Sequence, residues 1–180
     1  MTALTGGAML PLLAKLAPGS GTVKLRVAKV VPFAWTFTPL DIGMQEGIFA
    51  KNGLEIEESA SAGDAKLQQL LTSDSVDIGI GSGPGMAFAA KGVPAKAVAE
   101  MYGAPRNMAV MVGYDSPIKT VADLKGKKLG CTTVGSLTAW IGARINEKEG
   151  WDGHGIDVVP IGGEVPARAA IRTHQIDGYI

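Results

Sequence analysis

From residue 24 onward, short apolar runs alternate with stretches in which apolar residues recur every three or four positions. Residues 24–31 (KLRVAKVV) are the first such run and read as a strand. Thr38-Pro39 then opens a helix, with a capping threonine and a proline at the first helical position. Leu40, Met44, Ile48 and Phe49 make one apolar stripe along it, and Asn52-Gly53 supplies a left-handed stop. Residues 54–58 predict a second strand, after which Asp64 caps a helix carrying Leu67, Leu70 and Leu71. A buried third strand is expected over 76–80, a helix over 84–90 ending at Lys91-Gly92, and a fourth strand over 95–99. Strands and helices alternating at this spacing imply parallel β-α-β units with helices on the sheet faces.

A second series follows. Residues 108–112 look like a strand with no helix before it, which predicts a crossing out of the first sheet. Thr120-Val121-Ala122-Asp123 has capping-box spacing and predicts a helix start, followed by a strand over 128–132. Residues 136–147 form a helical pattern with Leu137, Ile141 and Ile145 on one face and Gly150 beyond its end. A strand over 156–161, a helix over 165–172 and a strand over 176–180 complete the series. The pattern divides the chain into a leader (1–23), a first α/β lobe (24–107) and a crossover with a partial second α/β lobe (108–180). Loops at the carboxyl ends of strands in two such halves open into a common cleft, which nominates residues 33–38, 62–64, 81–84, 132–136 and 162–164.

Composition narrows the partners. With 180 residues, 46% apolar side chains and 25 glycines, the chain has enough apolar material for one substantial core or two small ones. Lys plus Arg and Asp plus Glu number 17 each, so no overall field holds the molecule on nucleic acid or an anionic membrane. Nucleic acid is therefore not an expected partner, and any charge selectivity is local. The leader resembles the apolar core of an export signal, but no basic residue precedes the run and Lys15 interrupts it, so it reads as a degraded signal peptide. A leader with no targeting role is the alternative. The single cysteine, Cys131, lies in an apolar strand and reads as a core residue.

The stretch DIGIGSGPG (77–85) carries the candidate chemistry. It does not fit the dinucleotide fingerprint, because Met86 stands where the third glycine would follow Gly81 and Gly83. Gly126-Lys127 lacks the upstream glycine and the following hydroxyl residue of a phosphate-binding loop. A nucleophile elbow needs glycines two places either side of the serine, where Ser82 has Ile80 and Pro84. What remains is a strand end stripped of side chains, where peptide N–H groups and the Ser82 hydroxyl can approach a small ligand. His154 and His174 have no carboxylate or cysteine at metal-ligand spacing, so both read as surface residues, and neither a metal nor a cofactor is expected.

The runs PLDIGMQEGIFAKNGLEIEE, VDIGIGSGPGMAFAAKGVPAKAVAE, DSPIKTVADLKGKKLG and AAIRTHQIDGYI, in this order, resemble the periplasmic substrate-binding proteins of ABC importers. The specific group is the one that handles nitrate, sulfonates, taurine and thiamine precursors. The resemblance implies a type II periplasmic binding protein-like fold whose second lobe is incomplete, because family members are longer. It further implies a monomeric, non-enzymatic periplasmic receptor that holds a small anion or zwitterion between its lobes and delivers it to ABC permease subunits. Carried onto this sequence, the solute-contacting positions are Trp35, Thr36 and Phe37, then Ser82 and Gly83, and from the second lobe Thr133, Gly135 and Ser136. For Phe33 and Trp35 the competing reading is inward packing, and for Ser136 a plain helix cap. Asp64 stands where the family often has a hydroxyl residue; an acid there disfavours an anion, so either it caps its own helix and points away, which is the expectation, or the solute is not a simple sulfonate. Arg106 and Glu164 read as solvated charges, and Lys119, Lys125, Lys127 and Lys128 as a solvated face or a transporter-docking patch. Other readings are a binding protein for a pyrimidine precursor of thiamine, the related synthase, whose cysteine-rich segment this sequence lacks, and a sensory ligand-binding module.

Overall fold

The structure, a computed structural model, describes residues 21–101, 103, 108–152 and 154–180. Most of the leader, and Arg106, lie outside the described residues. Two sheets are formed. The first has the order β2-β1-β3, from β1 (Val23–Lys29), β2 (Leu54–Ala60) and β3 (Ile78–Ile80), all parallel. Four strands make the second, in the order β4-β7-β5-β6: β4 (Met111–Val112), β5 (Lys128–Cys131), β6 (Asp157–Pro160) and β7 (Gly178–Tyr179). Strand β5 runs parallel to β6 and β7, whereas β4 is antiparallel to β7. The chain thus leaves the first sheet before residue 111, with α-helix Pro84–Ala90 between β3 and β4.

Helices fill the connections. The stripe from Leu40 to Phe49 is broken into α1 (Thr38–Gln45) and α2 (Ile48–Lys51) by Gly47, whose φ of 65° is left-handed. After β2 comes α3 (Asp64–Thr72), after β3 comes α4 (Pro84–Ala90), after β5 comes α5 (Leu137–Lys148), and after β6 comes α6 (Glu164–Arg172). The two halves have separate cores. In the first, Ala28, Leu67 and Val76 are buried, with Val30, Leu70 and Leu71 packed on them. In the second, Ile118, Leu124, Leu129, Ile156 and Ile180 are buried and flanked by Ile141, Ile145 and Val158. Each leucine, isoleucine or valine side chain fully removed from water stabilises its half by about 1.5–3 kcal/mol. Cys131 is buried in β5 as expected, and burial pushes its thiol pKa up.

Polar groups fasten elements to one another. Arg26 on β1 makes a two-pronged contact with Asp77, at 3.1 and 2.8 Å, just before β3. Asn146 on α5 imitates a strand neighbour: its amide donates to the Ile156 carbonyl (2.9 Å) and accepts from the Ile156 N–H (2.7 Å). Lys29, 3% exposed at the end of β1, pairs with Asp41 of α1 (2.9 Å) and Glu58 of β2 (2.5 Å).

Three predicted elements are corrected. Residues 95–99 form no strand, because Val98, their one large apolar side chain, is exposed and offers no buried face. The capping box at Thr120 starts only a single 3-10 turn, Ala122–Leu124. Asp123 does reach back to the N–H groups of Lys119 and Thr120, but it also takes the Thr120 hydroxyl, and Gly126 (φ 73°) turns the chain away at once. The third strand is shorter than expected and only half-buried, with Ile78 exposed.

Candidate functional site

Register places the loops. Lys29 lies opposite Ala60 and Ile80, so the three parallel strands of the first sheet end level and their following loops share one edge. In the second sheet Cys131 lies opposite Pro160, with the same result for the loops after β5 and β6. These two edges meet at residues 61–65, 82–88 and 133–137.

The meeting point is built outward from the turn after β2. Ser61 donates from its N–H to the Lys29 carbonyl (2.8 Å) and from its hydroxyl to the Gly63 carbonyl (3.1 Å), while the Gly63 N–H reaches the Val30 carbonyl (2.6 Å). Ala62 (φ 59°) and Gly63 (φ 125°) both take positive φ values, a turn held in place by those bonds. A Cβ on Gly63 would collide with the side chain of Thr133 from the other half, so glycine is required both by the backbone and by the approach. Gly135 faces Ala65 and the Phe88 ring across the same seam.

Asp64 begins α3 directly after this turn and is 3% exposed. The expectation that it caps its own helix and points away is overturned, for α3 has no side-chain cap. Instead Oδ1 accepts from the Ser82 hydroxyl (2.7 Å) and the Ser82 N–H (3.1 Å), and Oδ2 accepts from the Leu137 N–H (3.2 Å). Leu137 opens the twelve-residue helix α5, so the carboxylate of one half sits on the positive end of a helix from the other. The ion pairs among the described residues do not include Asp64.

The other nominated residues divide by orientation. Ser136 is buried and caps α5, accepting from the Ala139 N–H (3.2 Å) and sharing a hydrogen bond with the Thr138 hydroxyl (2.9 Å). Its hydroxyl is therefore spent on its own helix. Thr133 Oγ1 is buried without a hydrogen-bond partner among the described residues, and so is Oε1 of Gln68, one helical turn beyond Asp64. The Gln68 amide nitrogen lies against Gly85 in the turn that follows Ser82. Trp35, Thr36 and Phe37 form a 3-10 turn in which Phe37 is buried beside Lys29, the ammonium 5.9 Å from its ring centroid. Trp35 is 87% exposed and Phe33 59%, so neither packs inward. Gly83 is exposed at the start of α4, and Glu164, His154 and His174 are exposed as expected. Sequence reasoning missed two residues, Asp64 as a link and Gln68; the available signal was a glutamine beside Leu67 on the buried side of an otherwise apolar stripe.

Two α/β sheets that meet through the loops at their strand ends define a periplasmic binding protein fold. Comparison with solved structures agrees. The alkanesulfonate-binding protein SsuA of Xanthomonas axonopodis pv. citri, bound to MOPS, superposes with a TM-score of 0.67 at 22% identity, over 89% of this chain and 55% of that one. The periplasmic aliphatic sulphonate binding protein SsuA of Escherichia coli gives 0.57 at 22% identity, over 88% and 54%. A Haemophilus influenzae protein named for thiamine biosynthesis is 35% identical over 95 residues, 52% of this chain and 30% of its own length. The chain thus spans about half the length of the solved structures it matches. The NMT1/THI5-like family model matches residues 35–180, and the chain belongs to that family.

Proposed function

We propose that this chain is the solute-binding part of an ABC importer, a periplasmic receptor that holds a small organic anion or zwitterion where the two sheets meet. The observation that carries this reading is the convergence of Asp64, Ser82 and the amino end of α5 from loops far apart in sequence. Groups fixed in this way bind by position and need no reactive group. Trp35, Thr36, Ser82, Gly83, Thr133 and Gly135 are the proposed lining, with Trp35 offering an exposed ring to a carbon skeleton; Phe37 and Ser136 support it from behind. The partners are the solute and the permease subunits that accept it. No helix among the described residues is long and apolar enough to cross a membrane.

A pyrimidine precursor of thiamine is the second reading for the solute, favoured by the 35% identity to the Haemophilus protein. A thermal-shift screen of alkanesulfonates, taurine, nitrate and aminopyrimidines tests both readings. A receptor shows a saturable rise in melting temperature with one chemical group of solutes, since binding to the native state alone stabilises by mass action. A flat response across the whole panel overturns the assignment.

A further inference from the structure

We propose that Asp64 sets the charge of the solute: the site takes a molecule that brings an amino or ring N–H group to this carboxylate, and it rejects a simple anion. The inference rests on the receptor reading above and narrows it. Three observations carry it.

The first is that the donors suited to an oxyanion are already taken. The Ser82 hydroxyl, the Ser82 N–H and the Leu137 N–H all donate to Asp64. A solute sulfonate arriving there would find a fixed negative charge in possession of the helix end. The second is a deficit of donors. Oδ1 accepts twice and Oδ2 once, and a carboxylate oxygen has two lone-pair directions, so Oδ2 keeps one open. Asp64 is nevertheless buried, with dipoles around it and no ion-pair partner among the described residues. Buried charges of this kind are ordinarily completed by an opposite charge. The third is Gln68, 7% exposed, which projects from α3 one turn after Asp64 beside the turn that follows Ser82. Its Oε1 is buried and receives no hydrogen bond from the described residues, a second acceptor that wants an N–H. Thr133 Oγ1, also unpartnered, can donate or accept. A surplus of acceptors is complementary to ammonium or amidine-like nitrogen, not to a bare oxyanion.

The test uses matched pairs that differ in one amino group. Taurine and ethanesulfonate form one pair, 4-aminopyrimidine and 4-hydroxypyrimidine the other, titrated calorimetrically into the purified chain and into Asp64→Asn and Gln68→Met. An asparagine keeps an acceptor for Ser82 but turns a donor toward the solute. The expected result is that at least one amino-bearing probe binds the unaltered chain about tenfold or more tightly than its partner, the scale of a hydrogen bond to a charged group. Asp64→Asn abolishes that preference, and Gln68→Met, which removes an uncharged acceptor and leaves the link to α5 intact, weakens it in the same direction. Equal binding of both members of each pair, or a preference that survives both substitutions, overturns the role of Asp64 and leaves the receptor reading standing. Binding of none of the probes overturns both.

Discussion

The α-carbon of Gly63 rests against the side chain of Thr133, joining the turn after β2 to the loop after β5. Gly63→Ala is expected to lose about 2 kcal/mol or more, since the φ of 125° is costly for any side chain and the new methyl meets Thr133. Trimming the obstacle with Thr133→Ala in the same chain restores the part due to collision and leaves the backbone part. Urea denaturation of the two single variants and the double variant separates the contributions, and full recovery would show that the backbone carries no strain.

Lys29 is the only cation paired with Asp41 and Glu58 among the described residues, and its ammonium is nearly sealed from water. Burial pulls its pKa down, but the hydrogen bonds it donates to Glu58 and Asp41 outweigh that and hold it above the ordinary value. Lys29→Met leaves two carboxylates facing an apolar side chain and is expected to cost about 2 kcal/mol, below the figure for fully buried pairs because Asp41 is partly solvated. Adding Glu58→Gln relieves part of the loss. A double-mutant cycle in chemical denaturation reads the coupling, and strict additivity would refute it.

The Arg26 guanidinium, helped by the Arg26 N–H, holds the Asp77 carboxyl to about 2, below its usual 3.8. The unfolded chain takes up that proton first. Its contribution to stability is therefore intact above about pH 4 and disappears as the pH falls through about 2. Asp77→Asn should lower the urea midpoint at neutral pH by an amount that shrinks to nothing over this interval. A difference that stays constant with pH would show that the carboxylate is not the group responsible.

Asn146 satisfies both backbone groups of Ile156 from the last turn of a helix. Asn146→Ala leaves an N–H and a carbonyl to find other partners and is expected to cost about 2 kcal/mol. Asn146→Asp keeps the acceptor and loses the donor, so its denaturation midpoint falls between those of the unaltered chain and Asn146→Ala. An alanine variant as stable as the parent would remove the amide from the account.

The architecture was legible because its signals are local. Glycine and asparagine stops, the Ser136 cap and the apolar period of α5 each act within a few residues, and the structure forms helices and strands where they point. The errors lie where distant chain decides. Val98 sits in a strand-like composition but lacks a buried face, and the helix stripe through Met44 and Ile48 hides the break that Gly47 imposes. Asp64 is the instructive case. A carboxylate at a helix start reads as a local cap by every short-range rule, and only the arrival of Ser82 and Leu137 gives it other donors. No pattern within α3 encodes that meeting, which depends on where two loops of other elements stop.

Strand β4 touches its sheet through β7 alone, since the order places β7 between it and β5. In vectorial synthesis, Met111 and Val112 therefore emerge long before the neighbour they pair with, and they wait as an unzipped edge until Gly178 and Tyr179 arrive. The two segments form one cooperative unit, so anything that frays the later one also frees the earlier, and amide exchange at Val112 should keep time with that at Gly178 and Tyr179.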